Sequence, residues 1–197
     1  MINVLFIGHS GYFGQHILNS NKTIDYNIEL FKGRVQDISN FEKYMHYNFD
    51  MIWHFGSPNN ANAKDLEKSI IKGTLNVIAF ANQQHAKLVY ASSQGIFSAN
   101  KNQYEIYKKT ATVMVTNSCE KYINLIIPRV YSRDSCHGLI KAIKTNKPLD
   151  LDKEITFLNV SEFVTQFFIA LSLKNDNYIF KNLKRKSIQV IKNWILK

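Results

Sequence analysis

Residues Met1 to Gly14 read MINVLFIGHSGYFG, and they constrain the fold more than any other stretch. An apolar, partly β-branched run (Ile2 to Ile7) passes directly into Gly8, Gly11 and Gly14, and a helix-compatible segment follows. Strand, glycine turn and helix in that order form the front end of a dinucleotide-binding unit. Gly8 permits the tight turn, Gly11 lets the backbone approach a pyrophosphate, and Gly14 lets the helix close on the sheet. Amides at the start of the helix then face the phosphates. Gly8, His9, Ser10, Gly11, Tyr12, Phe13 and Gly14 are therefore candidate cofactor-binding residues. The plain alternative is a tight turn in some other α/β sheet.

Periodicity extends the pattern. Strands are expected at Ile2–Ile7, Asn27–Phe31, Met51–Phe55, Leu88–Ala91 and Ile123–Ile127. Helices are expected at about Phe13–Ser20, Asn40–Tyr47, Asp65–Gln84, Glu105–Tyr122, Gly138–Thr145, Ser161–Leu173 and Ser187–Leu196. Short apolar runs alternating with helices imply an α/β fold, a Rossmann-type doubly wound parallel sheet covered on both faces. Weaker extended pieces at Glu154–Leu158 and Tyr178–Phe180 finish the sheet or form a small cap. No linker or repeat divides the chain, so residues 1–197 are expected to be one domain, with about 133–197 contributing a reduced substrate-binding part.

Composition excludes several classes. A hydrophobic content of 45% with 20% charged residues is that of a globular protein, and no apolar run approaches the roughly 18 residues of a membrane span. Nothing at the start resembles a signal peptide, and the two cysteines, Cys119 and Cys136, form neither a disulfide framework nor a metal cluster. A cytoplasmic protein without a metal is expected. The net charge of +10 comes from scattered lysines; the single dense cluster, Lys181 to Lys186, lacks interleaved aromatics, which argues against nucleic-acid binding. A diffuse positive field still favours anionic ligands such as nucleotides.

Ligands of such sheets bind outside the carboxyl ends of the strands. After the second strand come Lys32, Gly33 and Arg34, with no acid at the strand end. A ribose 2′-hydroxyl is usually met there by an acid and a 2′-phosphate by a base, so Lys32 and Arg34 favour NADP over NAD. The alternative is a solvated basic turn. After the third strand, Phe55-Gly56-Ser57 can lie beside the pyrophosphate. After the fourth come Ser92-Ser93-Gln94-Gly95 and then Tyr104-Glu-Ile-Tyr-Lys108. Tyr104 and Lys108 share one helical face at i, i+4. A nearby ammonium stabilises the phenolate, so Tyr104 is a usable acid/base.

At this point the chain resembles the extended short-chain dehydrogenase/reductases, the NAD(P)-dependent nucleotide-sugar epimerase/dehydratase/reductase family. The traces run in order: GHSGYFG, QDI at Gln36–Ile38, FDMIWHFGSP at Phe49–Pro58, GTLNVIAFA at Gly73–Ala81, VYASSQGIF at Val89–Phe97 and YEIYK at Tyr104–Lys108. IIPRVYS at Ile126–Ser132 resembles the stretch beside the nicotinamide, and FLNVSEFVTQFFIAL at Phe157–Leu171 a late strand-and-helix signature. The resemblance implies Ser93, Tyr104 and Lys108 as the catalytic set, with Lys108 on the ribose hydroxyls. It also implies Asp37 and Ile38 against the adenine, Pro128 and Val130 near the cofactor, and Ser93, Gln94, Arg129 and His137 toward a nucleotide-sugar substrate. A homodimer through the helices expected at Asp65–Gln84 and Glu105–Tyr122, and a place in polysaccharide biosynthesis, follow in the same way.

Departures from the family narrow the activity. Sugar dehydratases carry an Asp-Glu pair where this chain has Gln94 and Gly95, which cannot move a proton at neutral pH. The epimerase-reductases that make GDP-fucose carry a cysteine at the position of Gly95. The asparagine often found three residues before Gly73 is Ile70, so one support of the proton relay is missing. Eleven positions separate Ser93 from Tyr104, fewer than the family generally has. The expectation is an NADP-preferring reductase of a keto sugar nucleotide. A 4-epimerase with bound NAD and a non-catalytic dinucleotide-binding sensor or partner protein are the alternatives.

Overall fold

A computed structural model describes residues 1–57, 62–132 and 138–196. The expected Rossmann-type architecture is present. Six parallel strands form the main sheet: β1 (Ile2–Ile7), β2 (Tyr26–Leu30), β3 (Met51–His54), β4 (Lys87–Ser93), β5 (Tyr122–Ile127) and β8 (Asp176–Ile179). Their order is β2-β1-β3-β4-β5-β8, which reverses direction between β1 and β3 and so opens a crevice at their carboxyl ends. A smaller sheet, β6-β7-β9, pairs β6 (Val130–Tyr131) parallel to β7 (Glu154–Asn159), and β7 antiparallel to β9 (Lys184–Ser187).

Both faces of the main sheet are covered. Alternate residues of each strand feed two cores. Leu5, Ile7, Ile52, Leu88 and Tyr90 pack under α3 (Gly73–Gln83) and α4 (Gln103–Ser118). Val4, Phe6, Trp53, Val89 and Leu125 pack under α1 (Tyr12–Leu18) and α6 (Val160–Ala170), where Phe163 and Phe167 are fully buried. The small sheet has its own core: Ile155 and Phe157 meet Ile140 and Ile143 of α5 (Gly138–Lys144) and Ile188 and Ile191 of α7 (Ile188–Ile195).

Several boundaries differ from expectation, each for a physical reason. The segment expected as a helix at Asn40–Tyr47 is a 3-10 helix, Ile38–Tyr44, pinned by the Tyr44 hydroxyl, which accepts from Lys32 N at 2.7 Å. The helix expected to reach Tyr122 ends at Ser118, because Tyr122 already pairs with Leu88 in the sheet. The helix expected over Asp65–Gln84 is α2 (Ala63–Leu66) and α3 joined by a π-helical stretch, Glu67–Lys72. Strands β6 and β9 lie where no strand was expected. Of the two weak extended pieces, Glu154–Leu158 joins the small sheet as β7, and Tyr178–Phe180 overlaps β8 at the edge of the main one.

Candidate active site

The glycine turn is built as its spacing requires. Gly8 has φ +84°, and a Cβ there would lie 2.5 Å from Gly56 N, so the turn and the loop after β3 touch backbone to backbone. Gly14 packs so closely that a Cβ would meet the His9 carbonyl oxygen at 2.4 Å. The turn opens onto a cleft of about 410 Å³ lined by Ile7, Gly8, His9, Ser10, Gly56 and, from the end of β2 onward, Phe31 and Gly33–Gln36. Asp65, Lys68 and Ser69 form a further wall.

The expected cofactor residues distribute unevenly around this cleft. Gly8, His9, Ser10, Arg34 and Gly56 line it; Lys32, Asp37 and Ile38 are exposed and are not among its lining. Val35 and Gln36 stand there instead. Phe55 packs into the core against Phe6 and Phe167. Tyr12 reaches away from the turn and donates from its hydroxyl to Ser132 Oγ at 3.0 Å. Gly11, Tyr12 and Phe13 open α1, and Phe13 rests on Phe163. Pro128, Arg129 and Val130 follow β5, with Arg129 exposed and Val130 buried. His137 lies outside the described residues.

Tyr104 and Lys108 occupy the first turns of α4. That helix starts with a capping box: Asn102 Oδ1 accepts from Glu105 N, and Glu105 Oε2 accepts from Asn102 N, both at 3.0 Å. Glu105 also packs against Gly95, which ties the head of α4 to the turn after β4. Ser93 Oγ accepts from Gly95 N at 3.1 Å in the same turn, and Gln94 beside it is exposed.

Lys108 is 2% exposed. Its Nζ donates to Ala91 O at 2.6 Å, Ser57 Oγ at 2.9 Å and Tyr90 OH at 3.3 Å. It lies 5.9 Å from the centre of the Tyr104 ring. Burial lowers the Lys108 pKa to about 7. Burial, and secondarily Glu105, raises Tyr104 to about 12. Behind Lys108, His54 Nε2 lies 3.4 Å from Thr74 Oγ1; burial first and Lys108 second hold that imidazole down at about 3. The motifs pointed to Ser93, Tyr104 and Lys108 but not to this polar interior, although His54 at the end of an apolar strand was a visible signal.

Residues 4–165 match the NAD dependent epimerase/dehydratase family. The chain belongs to that family. Its members are NAD(P)-dependent enzymes of the extended short-chain dehydrogenase/reductase type. Solved structures of the same fold include WbmG of Bordetella bronchiseptica in complex with NAD, at 15% identity and TM-score 0.84, covering 99% of this chain and 77% of that one. The dTDP-4-dehydrorhamnose reductase of Bacillus anthracis in complex with NADP is 16% identical at TM-score 0.85, covering 100% and 81%. The UDP-glucose 4-epimerase of Thermus thermophilus with NAD is 15% identical at TM-score 0.78, covering 98% and 82%. A sequence comparison with curated proteins finds no match. Among the described residues no helix is long and apolar enough to cross a membrane, and no group of three or more His, Cys, Asp or Glu could hold a metal ion.

Proposed function

We propose that the chain is an NADPH-dependent reductase of a keto sugar carried on a nucleoside diphosphate, with Tyr104 as proton donor. One placement carries the reading. Tyr104 and Lys108 stand one turn apart at the head of α4, at the same carboxyl edge of the parallel sheet that bears the glycine-lined cleft. That cleft fits the adenosine and pyrophosphate half of a dinucleotide: its floor is glycine backbone, and Arg34 and Lys68 face it.

A bound reduced nicotinamide supplies the hydride. Tyr104 gives its proton to the carbonyl oxygen as negative charge builds there, and a phenol held near 12 carries that proton throughout the neutral range. The Lys108 ammonium stabilises the phenolate left behind. Ser93 already accepts from Gly95 N, so its own O–H is available to hold the substrate oxygen. The base at the end of β2 supports NADP rather than the epimerase's tightly held NAD. Solved structures of this fold with UDP, as in WbmG, or with UDP-glucose, as in the epimerase of Thermotoga maritima, support a nucleotide-linked substrate.

Replacing Tyr104 by Phe should cut NADPH oxidation with a 4-keto sugar nucleotide by about a hundredfold or more, while NADPH affinity stays within about twofold. Wild-type turnover in that variant would overturn the reading. We place the expected homodimer contact on α3 and α4, where Leu75 is 49% and Val113 50% exposed. Sedimentation of the wild type and of Leu75→Lys should show a dimer lost on substitution; a monomeric wild type at tens of micromolar refutes the contact.

A further inference from the structure

Residue 70 is Ile, so the asparagine that the resemblance leads one to expect as a support of the proton relay is missing. Lys108 is nevertheless firmly held. An ammonium has three N–H donors, and here three oxygens accept them: Ala91 O, Ser57 Oγ and Tyr90 OH. In a site with 2% exposure those acceptors replace water, without which the charge would be strongly disfavoured.

The three acceptors differ in what they say about the sequence. Ala91 contributes backbone, which any residue would offer. Ser57 belongs to the loop beside the cleft. Tyr90 is a choice, because a phenylalanine would fill the same fully buried ring space without a hydroxyl to satisfy. Its ring also lies 4.7 Å from Lys108 Nζ, so face and hydroxyl both address the cation. Thr74 of α3, fully buried, hydrogen-bonds the Tyr90 hydroxyl and stands 3.4 Å from His54.

We propose that Tyr90 is a positioning residue: its hydroxyl and ring hold the Lys108 ammonium beside Tyr104. Its consequence for catalysis rests on the role given to Lys108 above. The groups facing Lys108 are Tyr104 from α4, Tyr90 from β4, His54 from β3 and the hydroxyl of Ser57, with Thr74 one step further on, against Tyr90 and His54. His54 is neutral and both phenols are protonated near pH 7, so Lys108, which titrates there, is the group of this cluster whose charge changes. Removing the Tyr90 hydroxyl withdraws an acceptor from the ammonium and leaves its burial intact, so the proton should leave more easily.

The test uses full-length protein with carbon-13-labelled lysine, the Lys108 resonance being identified by its loss in Lys108→Met. In Tyr90→Phe the midpoint of that resonance should fall by about one pH unit or more. NADPH turnover should fall about tenfold, its alkaline limb moving to lower pH by the same interval, with KM for NADPH within about twofold. Thr74→Val should act in the same direction more weakly, and Thr74→Ser should restore the wild-type midpoint. An unchanged Lys108 midpoint in a folded Tyr90→Phe protein overturns the proposal. If the wild type oxidises no NADPH, the reductase reading fails, and the resonance alone still decides whether Tyr90 holds Lys108.

Discussion

Arg34 and Lys32 are two residues apart and stand in different surroundings. Gly33, at φ +125°, swings the chain between them. Lys32 is tied through its backbone, its N–H donating to the Tyr44 hydroxyl and its carbonyl accepting from Lys43 Nζ, both at 2.7 Å, while its side chain stays in solvent. Arg34 lines the cleft. If Arg34 reads a ribose 2′-phosphate, Arg34→Ala should weaken NADPH about tenfold or more and leave NADH nearly unchanged. Lys32→Ala should alter either affinity by less than about twofold, because its charge is screened by water. Calorimetric titration of both cofactors against both variants decides the matter; equal losses for NADPH and NADH in Arg34→Ala would refute the 2′-phosphate assignment. At this scale the sequence showed Tyr104 and Lys108 as a pair by their spacing, and they stand one turn apart at the head of α4. It could not show that Gln36, Asp65, Lys68 and Ser69 share the cleft, because they come together from the end of β2 and from the helix after β3.

Elements were legible in proportion to their burial. Strands β1 and β5 lie within one residue of expectation, because a parallel strand covered on both faces is a near-continuous apolar run, broken here by Asn3 and Asn124 alone. The start of α4, expected at Glu105, lies at Gln103, where Asn102 and Glu105 close a capping box. Its end was not legible, since the apolar residues after Ser118 continue a helical period while belonging to β5. The π-helical turn before α3 has no local signal either. It accompanies the pressing of Gly73 onto Val35, where a Cβ would stand 2.5 Å from Val35 Cγ2, and Asn76 Nδ2 donates to the Val35 carbonyl at 2.9 Å. That contact joins residues far apart in sequence. Strand β9, Lys-Arg-Lys-Ser, reads as a charge cluster; it is a strand because β7 offers it a partner, with Arg185 clasping Glu154 at 2.6 Å. Edge pairing of this kind is decided by tertiary context rather than by composition.

For the molecule as a whole, placing polar groups deep in the sheet layer ties folding to pH. His54 is fully buried and titrates at about 3 when folded, against 6.5 when unfolded. Between those values the unfolded chain binds a proton that the folded chain refuses, so stability must fall as the pH is lowered through this window. Lys108 has the same sign higher up: held at about 7 when folded against 10.5 unfolded, it makes the fold more stable as pH rises between the two. Tyr90 and Tyr104 act the other way above pH 10, because the unfolded phenols ionise first and draw the chain apart. Stability should therefore peak on the alkaline side of neutrality. The acid limb can be assigned to one residue. His54→Gln removes the titrating ring, so its melting temperature should fall less than that of the wild type between pH 6.5 and pH 4, even if the variant is less stable at pH 8 through loss of packing against Tyr90. Parallel acid limbs in the two proteins would show that the burial of His54 does not govern the transition, and that other groups carry the acid sensitivity of this fold.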